Sequence, residues 1–271
     1  MHLELLRISL LFCLFLNMTN TSEIVDFLND KASHYEARWF IDEDPVQIPH
    51  LFTKKEDIEI AGFLTATLAW GQRRMILKAC RQLMERMEMS PYDFLMEAPD
   101  DELQVADNFV YRTFNSIDAN YFLKALAHIY REKGGLQQVF IDGYRRGGID
   151  KAIIHFREVF MSFDPPVRTN KHVANILKNS SAKRLNMYLR WMVRTNSPVD
   201  FGLWRDISMA DLLIPLDVHV GRVAQQLGLL SRKQQDFKAV LELTGKLAGF
   251  RPEDPVFYDY ALFGLGVYEK F

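Results

Sequence analysis

Two side chains in this sequence have the type and surroundings for covalent chemistry at a carbon centre. Lys183 stands in Asn179-Ser-Ser-Ala-Lys-Arg184, where a helix is expected to open, and Asp217 stands in Ile214-Pro-Leu-Asp-Val-His-Val-Gly-Arg222, just ahead of another. The positive end of a helix dipole and the neighbouring Arg184 both disfavour a charged amine at position 183. A neutral amine attacks an electron-poor carbon and forms a Schiff base. A carboxylate at 217 stabilises a developing positive charge or moves a proton. Each residue also has a plainer reading. Lys183 serves as a point charge on a phosphate, and Asp217 is by type and position a helix N-cap. Spacing alone favours the plainer readings, although a cap and a catalytic group are not exclusive.

The charge around Lys183 is unusual. The chain has 271 residues, 33 basic and 35 acidic, for a formal charge of −2. Between Asp164 and Asp200 there is no acid, yet Arg168, Lys171, Lys178, Lys183, Arg184, Arg190 and Arg194 fall there with His172. Such a window predicts a basic face for a polyanion, which gains affinity by releasing counterions from phosphate, ahead of an ordinary solvated surface. It does not separate DNA from RNA or from an acidic protein. A near-neutral total excludes a globally basic, histone-like protein. Two cysteines, Cys13 and Cys80, exclude a disulfide scaffold, a cysteine-rich zinc module and a four-cysteine iron–sulfur cluster.

The elements that must position these groups read as helices. Ile58 to Trp70 is apolar nearly all round, the mark of a central buried helix, and Thr53-Lys-Lys-Glu56 before it has the capping-box pattern. Stripes at three- and four-residue spacing follow: Ile76, Ala79, Cys80, Leu83, Met87; Tyr121, Phe122, Ala125, Leu126, Ile129; Ile153, Phe156, Phe160; Leu185, Tyr188, Leu189, Met192; and Val220, Val223, Ala224, Leu227, stopped by Gly228. Ser231-Arg-Lys-Gln234 is a second capping-box pattern, and Asp254-Pro255 sets an N-cap before Pro at the first helical position. Gly134-Gly135 and Gly147-Gly148 punctuate helices, and no period-2 run or Asn-Gly or Asp-Gly hairpin signal is present. The predicted fold class is all-α with about ten helices, the apolar stripes being core.

The run 214 to 229, Ile-Pro-Leu-Asp-Val-His-Val-Gly-Arg-Val-Ala-Gln-Gln-Leu-Gly-Leu, resembles the aspartate-bearing segment of helix-hairpin-helix DNA glycosylases of the endonuclease III superfamily. From about Met18 the whole chain resembles an uncharacterised bacterial family distantly placed in that superfamily, through Asp57-Ile-Glu-Ile-Ala-Gly-Phe-Leu-Thr-Ala-Thr-Leu-Ala-Trp-Gly-Gln72, Lys183-Arg-Leu-Asn-Met-Tyr-Leu-Arg-Trp-Met-Val-Arg194, the segment at 214, and Asp259-Tyr-Ala-Leu-Phe-Gly-Leu-Gly266. The resemblance implies a two-lobed helical bundle with a central cleft. Residues 18–54 and 215–271 would form a terminal lobe and 55–214 a central lobe, with an irregular hairpin near 175–190. It implies Lys183 as nucleophile and Asp217 as its assistant, the 34-residue separation being most like that of archaeal 8-oxoguanine glycosylases. It places Trp70 and Gln72 near an extruded base, although a tryptophan there also reads as core. Lys178, Ser180, Ser181, Arg184, Arg190 and Arg222 are the expected nucleic-acid contacts. The chain departs from the superfamily in its hairpin, where Asn-Ser-Ser-Ala stands in place of Leu-Pro-Gly-Val-Gly. Serine hydroxyls and amides at a helix N-terminus still hold a phosphate, less distinctively.

The function implied is a DNA glycosylase on a damaged base, with Schiff-base lyase activity as a further step; the alternative is a non-catalytic nucleic-acid-binding protein on the same scaffold. Double-stranded DNA is the expected partner, and no metal or other cofactor is called for. A cytoplasmic monomer is expected. Residues 1–17 read as upstream extension, with Met18 as first residue, ahead of a weak targeting segment or an apolar helix; the targeting reading goes with a third function, that of an exported protein. Asp42, Glu43, Asp44 and His50 surround Pro45 and Pro49 without metal-ligand spacing and read as a solvated loop.

Overall fold

The computed structural model describes residues 21–99, 103 and 106–271. The readings that fall on residues 1–20, including the Met18 start and Cys13, lie outside the described residues. The fold is helical, as the spacing of apolar residues predicts, and it is organised around α3 (Lys55–Leu68). Every residue of α3 from Asp57 to Leu68 is buried. A helix apolar on all sides has no face to give to water and takes the centre. Glu59, in its middle, is 1% exposed and accepts from Trp204 Nε1 at 2.6 Å and Tyr130 Oη at 2.8 Å. Gly62 admits the neighbouring helix α9 (Lys183–Val193): a Cβ there would stand 3.2 Å from Met192 Cε and 3.3 Å from Tyr188 Cε2.

Around α3 lie α4 (Arg73–Arg86), α5 (Pro91–Glu97), α6 (Ser116–Glu132), α7 (Gly135–Tyr144) and α8 (Ile149–Phe160). The two ends of the chain meet elsewhere. The helix α1 (Thr21–Tyr35) packs on α12 (Tyr258–Val267), where a Cβ at Gly264 would fall 2.1 Å from Tyr35 Cδ2. Next to α12 runs α10 (Val218–Gln226), and α11 (Phe237–Ala248) follows it; the short α2 (Arg38–Glu43) leads from α1 towards the centre. No helix among the described residues is long and apolar enough to cross a membrane.

Three local expectations are corrected. Thr53 caps nothing: α3 begins at Lys55 after Lys54, with no side-chain cap. The second box fails because Asp236, further along, takes the cap of α11, accepting from Ala239 N at 3.1 Å, while Ser231 bonds Glu242. A capping box forms instead at Asn115 and Asp118, at the start of α6. A tight hairpin, β1 (Val110–Tyr111) with β2 (Phe114–Asn115), leads into it, turning on Arg112 at φ +55° rather than on a glycine. A left-handed non-glycine turn leaves no Asn-Gly or Asp-Gly signature, so the sequence carries no sign of it.

Candidate active site

The segment before α9 is an irregular turn. Asn179 (φ +62°) and Ala182 (φ +49°) both adopt the left-handed conformation. Asparagine tolerates that region because its short amide bonds locally, and here Asn179 Nδ2 donates to Asp236 Oδ2 at 2.9 Å, tying the turn to α11. Ser180 Oγ accepts from Ala182 N at 3.3 Å, and Ser181 O accepts from Asn186 Nδ2 at 3.1 Å. The chain then enters α9 with Lys183 as the first residue.

Asp217 is the N-cap of α10, and it divides its two oxygens between two tasks. Its Oδ1 accepts from His219 N at 2.9 Å and Val220 N at 3.0 Å, satisfying amides that have no partner inside the helix. Its Oδ2 stands 3.7 Å from Lys183 Nζ. The two side chains are 24% and 20% exposed, so the pair is neither sealed nor fully solvated. The cap reading and the charge reading of Asp217 thus hold together, one on each oxygen.

Both residues line one cavity of about 640 Å³, a size that holds a small planar ligand. Phe40, Trp70, Tyr260 and Phe263 supply its aromatic surface, and Asp44, Arg190 and Asp259 its buried polar surface. The lining therefore comes from α2 and the turn after it, the segment from the end of α3 into α4, α9, α10 with the residues just before it, and α12. Trp70 is held from behind: Tyr111 Oη donates to its carbonyl at 2.5 Å, and the Arg112 guanidinium lies 4.7 Å from its ring. Gly71, at φ +111°, permits this approach, since a Cβ would stand 2.9 Å from Arg112 Nη1.

The other expected contacts are scattered. Gln72 is exposed at the N-cap of α4 and is not part of the cavity wall. Lys178 is exposed, Ser180 and Ser181 are half-buried, and Arg222 is exposed with Nη2 donating to Gly266 O at 3.0 Å. Arg184 lines the cavity and donates to Thr67 O at 2.6 Å. Arg190, expected to meet phosphate, is only 4% exposed and is paired internally with Asp259 and with Asp200.

The basic window is for the most part not a surface. Arg194 is 3% exposed and pairs with Glu36, Asp200 and Asp254. Arg168 pairs with the buried Asp118 at 2.6 Å, and His172 is buried beside the same carboxylate. Arginines from one stretch of chain have found acids from distant ones, which a count along the sequence cannot register. Lys171 and Lys178 are the window's exposed lysines.

Two wall residues were not singled out for chemistry in the sequence. Asp44, read as part of a solvated loop, is 8% exposed, and it accepts from Val46 N at 2.9 Å. Burial raises its carboxyl above the usual range, against that hydrogen bond and the charges of Arg190 and Lys183. The adjacent Pro45, which opens a 3-10 turn with Asp44 as its cap, was the available signal. Asp259, in the first turn of α12, is 5% exposed; burial pushes its carboxyl up to about 6, against the opposing charge of Arg190. Among the described residues no group of three or more His, Cys, Asp or Glu is disposed to hold a metal ion. Cys80 is a buried free thiol.

A family model described as "Protein of unknown function (DUF2400)" matches residues 44–268, and the chain belongs to that family. No curated protein and no solved structure matches it.

Proposed function

We propose that this member of the DUF2400 family is a DNA glycosylase with Schiff-base chemistry, acting on a damaged base in double-stranded DNA in the cytoplasm. The observation that carries the reading is the approach of Lys183 Nζ to within 3.7 Å of Asp217 Oδ2 in the wall of a cavity of about 640 Å³ with aromatic sides. A target base inside a duplex must leave the stack before its sugar can be reached, and an aromatic cavity receives such a base. The resemblance of residues 214–229 to the aspartate-bearing segment of the helix-hairpin-helix glycosylases supports the same assignment, including a two-lobed arrangement about the cleft.

The roles follow from the two side chains. The amine of Lys183 attacks C1′ of the extruded nucleotide. Oδ2 of Asp217, held by a carboxylate whose other oxygen is fixed to the helix, stabilises the positive charge that develops on the sugar. The base departs; the nitrogen lone pair then opens the sugar ring, the C1′–O4′ bond breaking with its electron pair going to O4′, which takes a proton, and the imine so formed undergoes β-elimination, which expels the 3′-phosphate and nicks the strand. Lys178, which is exposed, and the half-buried serines of the turn take the role of meeting the backbone in this reading.

Borohydride reduction during incubation with lesion-bearing duplexes tests this. The wild-type protein is expected to give a covalent protein–DNA adduct on at least one lesion, and Lys183→Ala to give none. Salt-dependent duplex binding without adduct or base release on any lesion would instead assign the chain to the non-catalytic alternative.

A further inference from the structure

We infer that Asp259 is the proton donor of this site, protonating the base as it departs; the inference rests on the glycosylase reading above. It begins from a charge imbalance in the interior. Arg190 and Arg194 belong to one linked cluster with four carboxylates. Asp259 meets Arg190; Asp200 lies 3.3 Å from Arg190 Nε and 3.1 Å from Arg194 Nη1; Asp254 lies 2.9 Å from Arg194 Nε; Glu36 meets Arg194. No side chain in the cluster is more than 9% exposed. Two positive charges against four negative ones, out of reach of solvent screening, favour uptake of a proton.

The hydrogen bonds say which carboxyl holds it. Both oxygens of Asp254 accept from Arg194 Nε, both oxygens of Glu36 accept from Arg194, and Asp200 gives one oxygen to each arginine. Among the described residues, Asp259 engages Arg190 through Oδ2 alone, and its Oδ1 is buried without a partner. An ionised oxygen left in that position without a donor costs more to bury than a neutral carboxyl does, so the proton relieves most at Asp259. A neutral Asp259 still leaves Arg190 paired with Asp200. Of the four carboxylates, Asp259 is the one that lines the cavity with Lys183 and Asp217. The charged groups that act on it are Arg190, Asp217, Lys183 and Asp200, and against this field burial pushes its carboxyl up to about 6.

The step balances. The C1′–N bond breaks with its electron pair going to the base nitrogen, which takes the proton from Asp259. The lone pair of the Lys183 amine forms the N–C1′ bond, leaving a secondary ammonium, and the Asp259 carboxylate recovers a proton from it. Asp217 stays ionised throughout, so two carboxyls in one cavity act in different protonation states.

A preformed abasic site separates the roles, because it has no base to lose. In Asp259→Asn, borohydride trapping at an abasic site in duplex DNA is expected to stay within about twofold of wild type, while single-turnover base release falls on the order of 10²-fold. Asp254→Asn, which relieves the same buried charge outside the cavity, is expected to leave both unchanged. Infrared spectroscopy of the free protein at pH 5 is expected to show a protonated-carboxyl C=O band that Asp259→Asn removes. Absence of that band overturns the inference whatever the protein does to DNA. So does an Asp259→Asn protein that keeps base release, or one that loses trapping and release in equal measure. A wild-type protein that forms no adduct at an abasic site overturns the glycosylase reading, and the donor role with it, even if the band is present.

Discussion

At its first turn α9 carries Lys183 and Arg184, the former a quarter exposed beside Asp217 in the cavity wall; further along, Arg190 and, just past its end, Arg194 are sealed among Asp200, Asp254, Asp259 and Glu36. One helix thus uses basic residues in two ways. At the opening end the ion pair is isolated and reachable by a ligand. At the far end the pairs are multiple and shielded, and they join α9 to the segment after α1 and to the start of α12. Exposure and the number of partners separate a residue open to a ligand from one committed to assembly. A buried pair is also asymmetric in its energetics: forming it contributes little net stability, whereas removing one member leaves the others uncompensated.

The largest effect expected from breaking this contrast is at Arg194. Arg194→Ala strands Glu36 and Asp254 without their cation, and urea denaturation should show a loss of about 3–5 kcal/mol. Asp259 gives a smaller, pH-dependent effect. Its native carboxyl is pushed up to about 6, while in the unfolded chain it returns to the usual carboxylate range near 4. Between those values the native state holds a proton that the unfolded state has lost. Raising the pH through that window therefore costs the native protein stability; the advantage is fully present below the lower value and gone above the upper. Thermal unfolding of wild type against Asp259→Asn should show this as a difference that shifts by roughly 1–3 kcal/mol in favour of the variant from pH 4 to pH 7.

Asp217 sharpens the comparison from the opening end. Asp217→Ala removes the cap and should cost about 1 kcal/mol, whereas Asp217→Asn keeps a good capping side chain and should cost less than about 0.5 kcal/mol. Adduct formation should be lost in both, which separates the work of Oδ2 from that of Oδ1. The smallest effect is expected at Lys178. Lys178→Ala should change stability by no more than about 0.5 kcal/mol, and should lower the salt dependence of duplex binding by about one ion.

Much of the helical frame was legible. The apolar run of α3 announced its own burial, and the stripes at Ile76 to Met87 and Val220 to Leu227 predicted α4 and α10, with Gly228, at φ +68°, stopping the latter. Capping was less legible, because several side chains near each helix start compete for the same amides. Asp236 displaced the Ser231 box, and Asp254, read as a cap, makes no cap bond because its carboxylate is held by Arg194. The candidate site was legible in two of its parts, Lys183 and Asp217, and in the aromatic Trp70. Asp44 passed for a loop acid, Asp259 had no assigned role, and Gln72, expected near the base, is exposed between two cavity residues, Gly71 and Arg73, without lining the cavity itself.

What the sequence determined by itself is what depends on neighbours within a turn or two: helix content, the central position of α3, and the capping geometry that gives Asp217 one free oxygen. Tertiary structure alone decided which charges are spent and which remain. A stretch with seven basic residues becomes a surface or an interior according to whether acids far away along the chain, such as Glu36, 158 residues from Arg194, arrive beside it. Coulomb energy is set by distance in space and by access of water, and neither is a property of order along the chain.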